Sequence, residues 1–193
     1  MGSGKRPDRF VSELWRRPVE PATGASFEEV VLPHLDAAYR LACWLLRNAH
    51  DAEDAVQEAS LRATRYFRTY TGGDGRAWLL KIVRNTCFAL RNRKSRARVE
   101  PFEEERHGET RRAWDPETLV LQVEDVRLIE RAMRSLPVRS RQLLVLREME
   151  GLSYRELAAV LGIPLGTVMS SLSRARQAFR RAMESERRKP PLS

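Results

Sequence analysis

The chain has few of the residues that build metal centres. Its thiols and imidazoles are Cys43, Cys87, His34, His50 and His107, scattered with no ligand spacing among them. That excludes a zinc finger or a similar structural metal site. Both cysteines lie inside apolar helical patterns, so buried free thiols are expected rather than a disulfide, which fits a reducing cytoplasm. Long apolar runs are also missing. The longest, residues 41–46, is far too short to span a bilayer. The basic N-terminus lacks the apolar core of a signal peptide. No stretch alternates convincingly at period two, which leaves no strand to expect. These absences point to a nearly all-helical cytoplasmic protein with no metal, no cofactor and no direct membrane insertion.

Charge, by contrast, is abundant. The 193 residues carry 35 Lys and Arg against 26 Asp and Glu, a formal net charge of +9. The isoelectric point is about 10.3, which suits a polyanionic partner. The distribution is more telling than the total. Residues 76–98 hold eight basic side chains and no acidic one, whereas residues 27–58 hold seven acids against two arginines. Such segregation suggests one anionic and one cationic partner on different faces.

The pattern divides into two helical blocks. Residues 1–25, rich in Gly, Pro, Arg and Ser, read as a disordered extension. Residues 26–97 form a first domain, with helices expected over 27–48 (one, or two around Pro33), 51–70 and 78–92. Residues 98–115 are mixed in charge, lack apolar periodicity and read as a flexible linker. Residues 116–188 form a second domain, with helices near 117–135 and over 138–150, and residues 189–193 are a tail.

The second domain carries the most specific local signal, Gly151-Leu-Ser-Tyr-Arg-Glu-Leu-Ala-Ala-Val-Leu-Gly-Ile-Pro-Leu-Gly-Thr-Val-Met-Ser-Ser-Leu-Ser-Arg-Ala-Arg176. Ser153 and Glu156 make a capping box at the start of a helix. Leu157, Ala158 and Leu161 are its buried stripe, Gly162 supplies a turn, and Pro164 separates it from a second helix. Thr167 is a candidate cap for that helix, and Val168 and Leu172 face inward. Met169, Ser170, Ser171, Ser173, Arg174 and Arg176 are then turned outward. This is a helix-turn-helix, which places its second helix in the DNA major groove. Tyr154 and Arg155, on the first helix, complete the candidate duplex-binding set.

Two faces of the first domain also carry candidates. Asp54, Gln57, Glu58 and Leu61 share one side of a helix at three- and four-residue spacing, and Asp51 adds acid at its N-terminus. That face is either a solvated surface or a dock for a basic protein; a nuclease centre would need further converging carboxylates, which are missing. The next helix presents Lys81, Arg84, Asn85, Phe88, Asn92 and Arg93. Basic groups track phosphates, amides bond base edges and an aromatic ring stacks on an unpaired base. Phe88 is equally readable as a core residue at a helix edge. Gly72, Gly73, Asp74 and Arg76 lead into this helix as a loop with accessible backbone amides, but without a P-loop ending.

Three segments together resemble the extracytoplasmic-function sigma factors of bacterial RNA polymerase. They are Asp51-Ala-Glu-Asp-Ala-Val-Gln-Glu58, Arg76-Ala-Trp-Leu-Leu-Lys-Ile-Val-Arg-Asn85, and the helix-turn-helix quoted above. The resemblance implies two small helical domains, sigma-2-like and sigma-4-like, and a non-enzymatic initiation factor. It implies that Asp54, Gln57 and Glu58 dock on the clamp of the largest polymerase subunit. It implies that the loop with Lys81, Arg84 and Asn85 reads the minus-ten element and holds a flipped base. The helix-turn-helix would read the minus-thirty-five element and sit on the flap of the second-largest subunit. An anti-sigma partner is also implied. The chain departs from the family where many relatives have Lys or Arg at position 169 and Arg at 171; Met169 and Ser171 point away from the usual minus-thirty-five preference. The other reading of the helix-turn-helix is a stand-alone regulator of duplex DNA, which needs neither the acidic nor the single-strand-type face.

Overall fold

The computed structural model describes residues 24–97 and 122–188. The expected extension (1–25, apart from its last two residues), the linker, the start of the 116–188 domain and the tail lie outside the described residues. Every described element is helical, with no strand among them.

Helix α1, Phe27–Val31, starts at a capping box: Ser26 Oγ accepts from Glu29 N–H, and Glu29 Oε2 accepts from Ser26 N–H at 2.9 Å. Of the two forms expected for residues 27–48, the chain takes the broken one. Pro33 lies in a 3₁₀ turn, Leu32–His34, and α2 follows over Leu35–Leu46. Helix α2 ends on Arg47 in the left-handed region, φ 62°. Asn48 then caps α3, Ala49–Tyr66, by accepting from Asp51 N–H at 3.0 Å. The buried stripe of α3 is Ala52, Ala55, Ala59 and Ala63, so its neighbours approach closely. Leu41 and Leu45 of α2 and Leu79 and Val83 of α4 fill the space over those alanines.

Helix α4 runs over Gly75–Ala97, longer at both ends than residues 78–92. The early start has a cause: Asp74 Oδ1 accepts from Arg76 N–H at 2.9 Å and its carbonyl accepts from Trp78 N–H, so Asp74 serves as the cap. Leu80 and Cys87 are also buried, because α4 is covered by the second domain as well as by α2 and α3. Burial pushes the Cys87 thiol up to about 12 and raises that of Cys43; both are free. Gly75 is a contact point. A Cβ there would lie 2.8 Å from Val30 Cγ1 and 2.9 Å from Val30 carbonyl oxygen. Gly75→Ala is therefore expected to destabilise the first domain by about 1–3 kcal/mol, despite alanine's better helix propensity. Urea titration measures this; a midpoint at or above wild type would contradict the close α1–α4 approach.

In the second domain α5 spans Gln122–Ser135 and α6 spans Val138–Leu144. The single helix expected over 138–150 does not persist. It loosens into a π turn, Val145–Met149, with Glu150 N–H bonded to Val145 carbonyl oxygen. The added residue changes the phase, so Glu148 reaches the last helix while Glu150 points into the other domain. Helix α7, Tyr154–Leu161, begins at the Ser153–Glu156 capping box and ends on left-handed Gly162, φ 67°. Its buried positions are Leu157, Val160 and Leu161, with Ala158 only partly covered. Helix α8, Leu165–Arg187, crosses α7 at 99°, within the helix-turn-helix range. Thr167 does not cap it: the cap position is Pro164, and Thr167 lies within the first turn. Proline serves there because its fixed φ, −59°, suits the entry and it adds no orphan N–H.

Candidate protein and nucleic-acid interfaces

The acidic face on α3 is only partly free. Asp54 and Gln57 are exposed, and Leu61 is 53% exposed, unusual for leucine. Glu58 is half-buried and accepts from Arg62 Nε at 2.7 Å, one turn along. Asp51 is engaged elsewhere. Both its oxygens accept from Lys94 Nζ, at 2.6 and 2.7 Å, tying the start of α3 to the end of α4. Glu53, which with Asp51 adds acid at the N-terminal end of this helix, is exposed.

On α4, Lys81, Asn85, Asn92 and Arg93 are exposed and point outward. Arg84 is not free. Its Nε donates to Gln142 Oε1 at 3.1 Å, and Nη1 donates to Asn85 Oδ1 at 2.9 Å. Its guanidinium lies 5.0 Å from the centroid of Phe88, which is half-buried and forms a shelf for it. Burial, then the charge of Arg139, holds the Arg84 pKa below its ordinary value. Arg91, part of the basic run, is structural: it donates to Leu45 carbonyl oxygen at 2.9 Å.

An aromatic cluster positions the loop before α4. Phe67 packs edge-on against Phe27 and Trp78 and stacks on Tyr70, whose hydroxyl donates to Gly73 carbonyl oxygen at 2.6 Å. Gly72 and Gly73 take φ values of 93° and 96°, closed to most other residues. Glu156, at the head of α7, is held below the usual carboxylate range by its hydrogen bonds with Ser153. Helix α7, the support helix of the helix-turn-helix, packs against α4.

On α8, Thr167, Met169, Ser170, Ser173, Arg174 and Arg176 are exposed, and Ser171 is half-buried. Arg176 is tethered: Nε and Nη2 donate to Glu148 Oε1 at 2.9 and 2.7 Å, which raises its pKa. Arg174 makes only a 3.5 Å contact with Ser171 Oγ and is the freer arginine. Tyr154 lies half-buried under the Arg147 guanidinium, 4.9 Å away, while Arg155 is exposed. A shallow groove of about 370 Å³ runs between Tyr154, Met169, Ser173, Arg176 and Arg180. Leu165 and Arg180 are absent from the candidates that the sequence suggests. They share the Met169–Ser173–Arg176 side at four-residue spacing, a signal that periodicity carries.

Residues 30–97 match the model of Sigma-70 region 2, and residues 127–179 match that of Sigma-70, region 4. The ECF RNA polymerase sigma factor SigE of Mycolicibacterium smegmatis is 35% identical over 189 residues, covering 90% of this chain and 72% of its own. The chain belongs to the extracytoplasmic-function family of RNA polymerase sigma factors. It is an alternative sigma factor that directs promoter recognition and transcription initiation. The Escherichia coli ECF RNA polymerase sigma-E factor is 36% identical over 137 residues, covering 67% of this chain and 72% of its own. Among solved structures, the sigma factor RpoE in complex with the anti-sigma factor NepR from Bartonella quintana matches with a TM-score of 0.64. It is 26% identical, over 82% of this chain and 96% of that one. CnrH, in complex with the cytosolic domain of CnrY, shares the fold with a TM-score of 0.56 at 22% identity, over 85% of this chain and 92% of that one. The region 2 match sets this sigma factor apart from a stand-alone helix-turn-helix regulator. Its relatives are sigma factors rather than enzymes. Among the described residues, no single helix is long and apolar enough to cross a membrane.

Proposed function

We infer that the three faces divide the work of initiation in the cytoplasm, where polymerase resides. The outward side of α3, with Asp54, Gln57, Glu58 and Leu61, docks on the basic clamp of the largest polymerase subunit. The observation that supports this is an exposed leucine bordered by exposed acids on one helix face, the anatomy of an apolar patch with a charged rim. The loop at residues 71–74, with Arg76, Lys81, Arg84, Asn85, Phe88, Asn92 and Arg93, reads the non-template strand of the minus-ten element. The α7–α8 pair reads the minus-thirty-five element and rests on the flap of the second-largest subunit. Domains at residues 26–97 and 116–188 carry these roles, and a cognate anti-sigma factor regulates them, as in the solved relative bound to NepR. No cofactor takes part.

Reconstituted transcription with purified core polymerase over a promoter library tests this. A selected pair of promoter elements is the expected result; no promoter-dependent transcript with active core would overturn it. The same library separates the arginines of α8. Arg174→Ala is expected to change base preference at one minus-thirty-five position, by roughly 1–3 kcal/mol of discrimination. Arg176→Ala, losing a side chain already held by Glu148, is expected to leave the preferred sequence unchanged. Equal effects of the two would contradict the distinction.

A further inference from the structure

The helix assigned above to the minus-thirty-five element begins with apolar side chains. Leu165 and Met169 are 44% and 54% exposed, and their four-residue spacing puts them on one side of α8. Val168 and Leu172 already fill the inward positions, so the core needs neither side chain. Tyr154, Ser173 and Arg176 line the same shallow groove as Met169. Arg176, two turns further on, is tied to Glu148, and Tyr154 lies under Arg147. This side of α8 therefore presents carbon and sulfur ahead of any free guanidinium. The other side is polar from its start, with Thr167, Ser170 and Arg174 exposed at three- and four-residue spacing. We propose that Met169, bordered by Leu165, reads a thymine through its C5-methyl group, so that the minus-thirty-five element carries an A·T pair where Met169 meets it.

The chemistry selects one base. In the major groove guanine offers two acceptors, cytosine a donor, adenine one of each, and thymine an acceptor and a methyl group. A thioether pressed on guanine, cytosine or adenine dries a polar edge without replacing its hydrogen bonds, which costs affinity. On thymine it covers a methyl, and apolar surface leaves water on both sides of the contact. One methyl buried in this way contributes about fourfold in affinity, or about 0.8 kcal/mol. Methionine suits the contact, because its unbranched, polarisable side chain moulds itself to a small apolar group. Position favours it too, since the N-terminal residues of a recognition helix are the ones that reach base edges. The border of the patch selects DNA as the occupant. Arg155 is exposed beside Tyr154, and Arg174, Arg180 and Arg181 are exposed along α8. That positive frame suits the phosphates that flank an apolar spot on a groove floor.

This inference rests on the assignment of α8 to the minus-thirty-five element, and the experiment keeps the two apart. Holoenzyme is assembled from core polymerase and the full chain, as wild type, Met169→Ala or Arg174→Ala, and titrated with duplex promoter of the library-selected sequence. Each thymine of the minus-thirty-five element, on either strand, is replaced in turn by deoxyuridine, which deletes the methyl and keeps the pairing and the groove acceptor. One replacement is expected to weaken wild-type binding about fourfold and to leave Met169→Ala unaffected. In the promoter library, Met169→Arg is expected to move the preference at that pair from A·T to G·C, because guanine accepts both prongs of an arginine. A flat uracil scan, the same loss in Met169→Ala as in wild type, or a selected element without an A·T pair overturns the methyl contact. So does a Met169→Ala that instead loses affinity for core polymerase in the absence of DNA, which would make the patch a protein dock. The parent assignment fails separately. If neither Arg174→Ala nor Met169→Arg alters the minus-thirty-five preference, α8 is not the reading surface. If Arg174→Ala alters it while the uracil scan is flat, the methyl contact alone is lost.

Discussion

Arg141→Leu is expected to destabilise the sigma factor by about 3–5 kcal/mol, a fall in melting midpoint on the order of 10 °C for a chain of this size. Arg141 is 3% exposed. Its Nε donates to Met133 carbonyl oxygen, Nη1 to Trp44, and Nη2 to both Arg134 and Leu136. Three of those acceptors lie at the end of α5 or in the turn after it, and Trp44 is near the end of α2. The Trp44 and Arg134 carbonyls lie in the last turns of α2 and α5, where a helix runs short of partners, so one guanidinium closes two helix ends in two domains. Leucine restores apolar packing and relieves the repulsion with Arg47, Arg91 and Arg134, but orphans buried carbonyls. The loss of charge-assisted bonds outweighs the gain, because each is worth about 1.5–3 kcal/mol. Arg141→Lys is expected to recover little, since an ammonium cannot span acceptors that the planar fork reaches together. Burial brings the Arg141 pKa down to about 10, so the side chain is charged at neutral pH and every donor is present. A leucine variant melting within about two degrees of wild type would contradict this account.

Arg141 also marks the limit of what the sequence could tell. Local signals were legible because their chemistry is local: the Ser153–Glu156 capping box and the Gly162 turn. The end of α2 and the start of α4 were less legible, since Arg47 turns left-handed where glycine is usual and Asp74 caps where a loop residue was expected. The seam between the domains was not legible at all. Arg40 and Glu150 are separated by 110 positions, and no periodicity links a charged residue on one helix to another so distant. Polar residues such as Gln142 and Glu150 read as surface by composition, yet both are buried. Helical spacing says which residues share a side of a helix, not which of them are free. Lys81 and Arg93 are exposed, whereas Arg84 is engaged.

The same distinction shapes the binding effect expected to be largest. Asp54→Lys with Glu58→Lys is expected to weaken association with core polymerase by about 3 kcal/mol, on the order of a hundredfold. Two acids one turn apart on α3 become two cations facing a basic partner, and like charges meeting at an interface cost several kcal/mol. The fold should tolerate the change. Asp54 is exposed, and His50 Nε2 lies 3.8 Å from its carboxylate. Glu58 loses its bond to Arg62, and a lysine there would sit one turn from that arginine, costing only about 0.3–0.5 kcal/mol. Asp51→Ala provides the contrast. That carboxylate is occupied by Lys94, so its loss is expected to trim stability by less than about 1 kcal/mol and leave core affinity within about twofold. Leu61→Ala tests the apolar centre of the same face and should weaken binding without altering charge. Titration of labelled core with each variant, with helicity checked in parallel, distinguishes these outcomes. If the double reversal binds core as wild type does, α3 is not the docking helix. If Asp51→Ala is as damaging as the reversal, the dock lies at the N-terminal end of α3 rather than along its Asp54–Leu61 side.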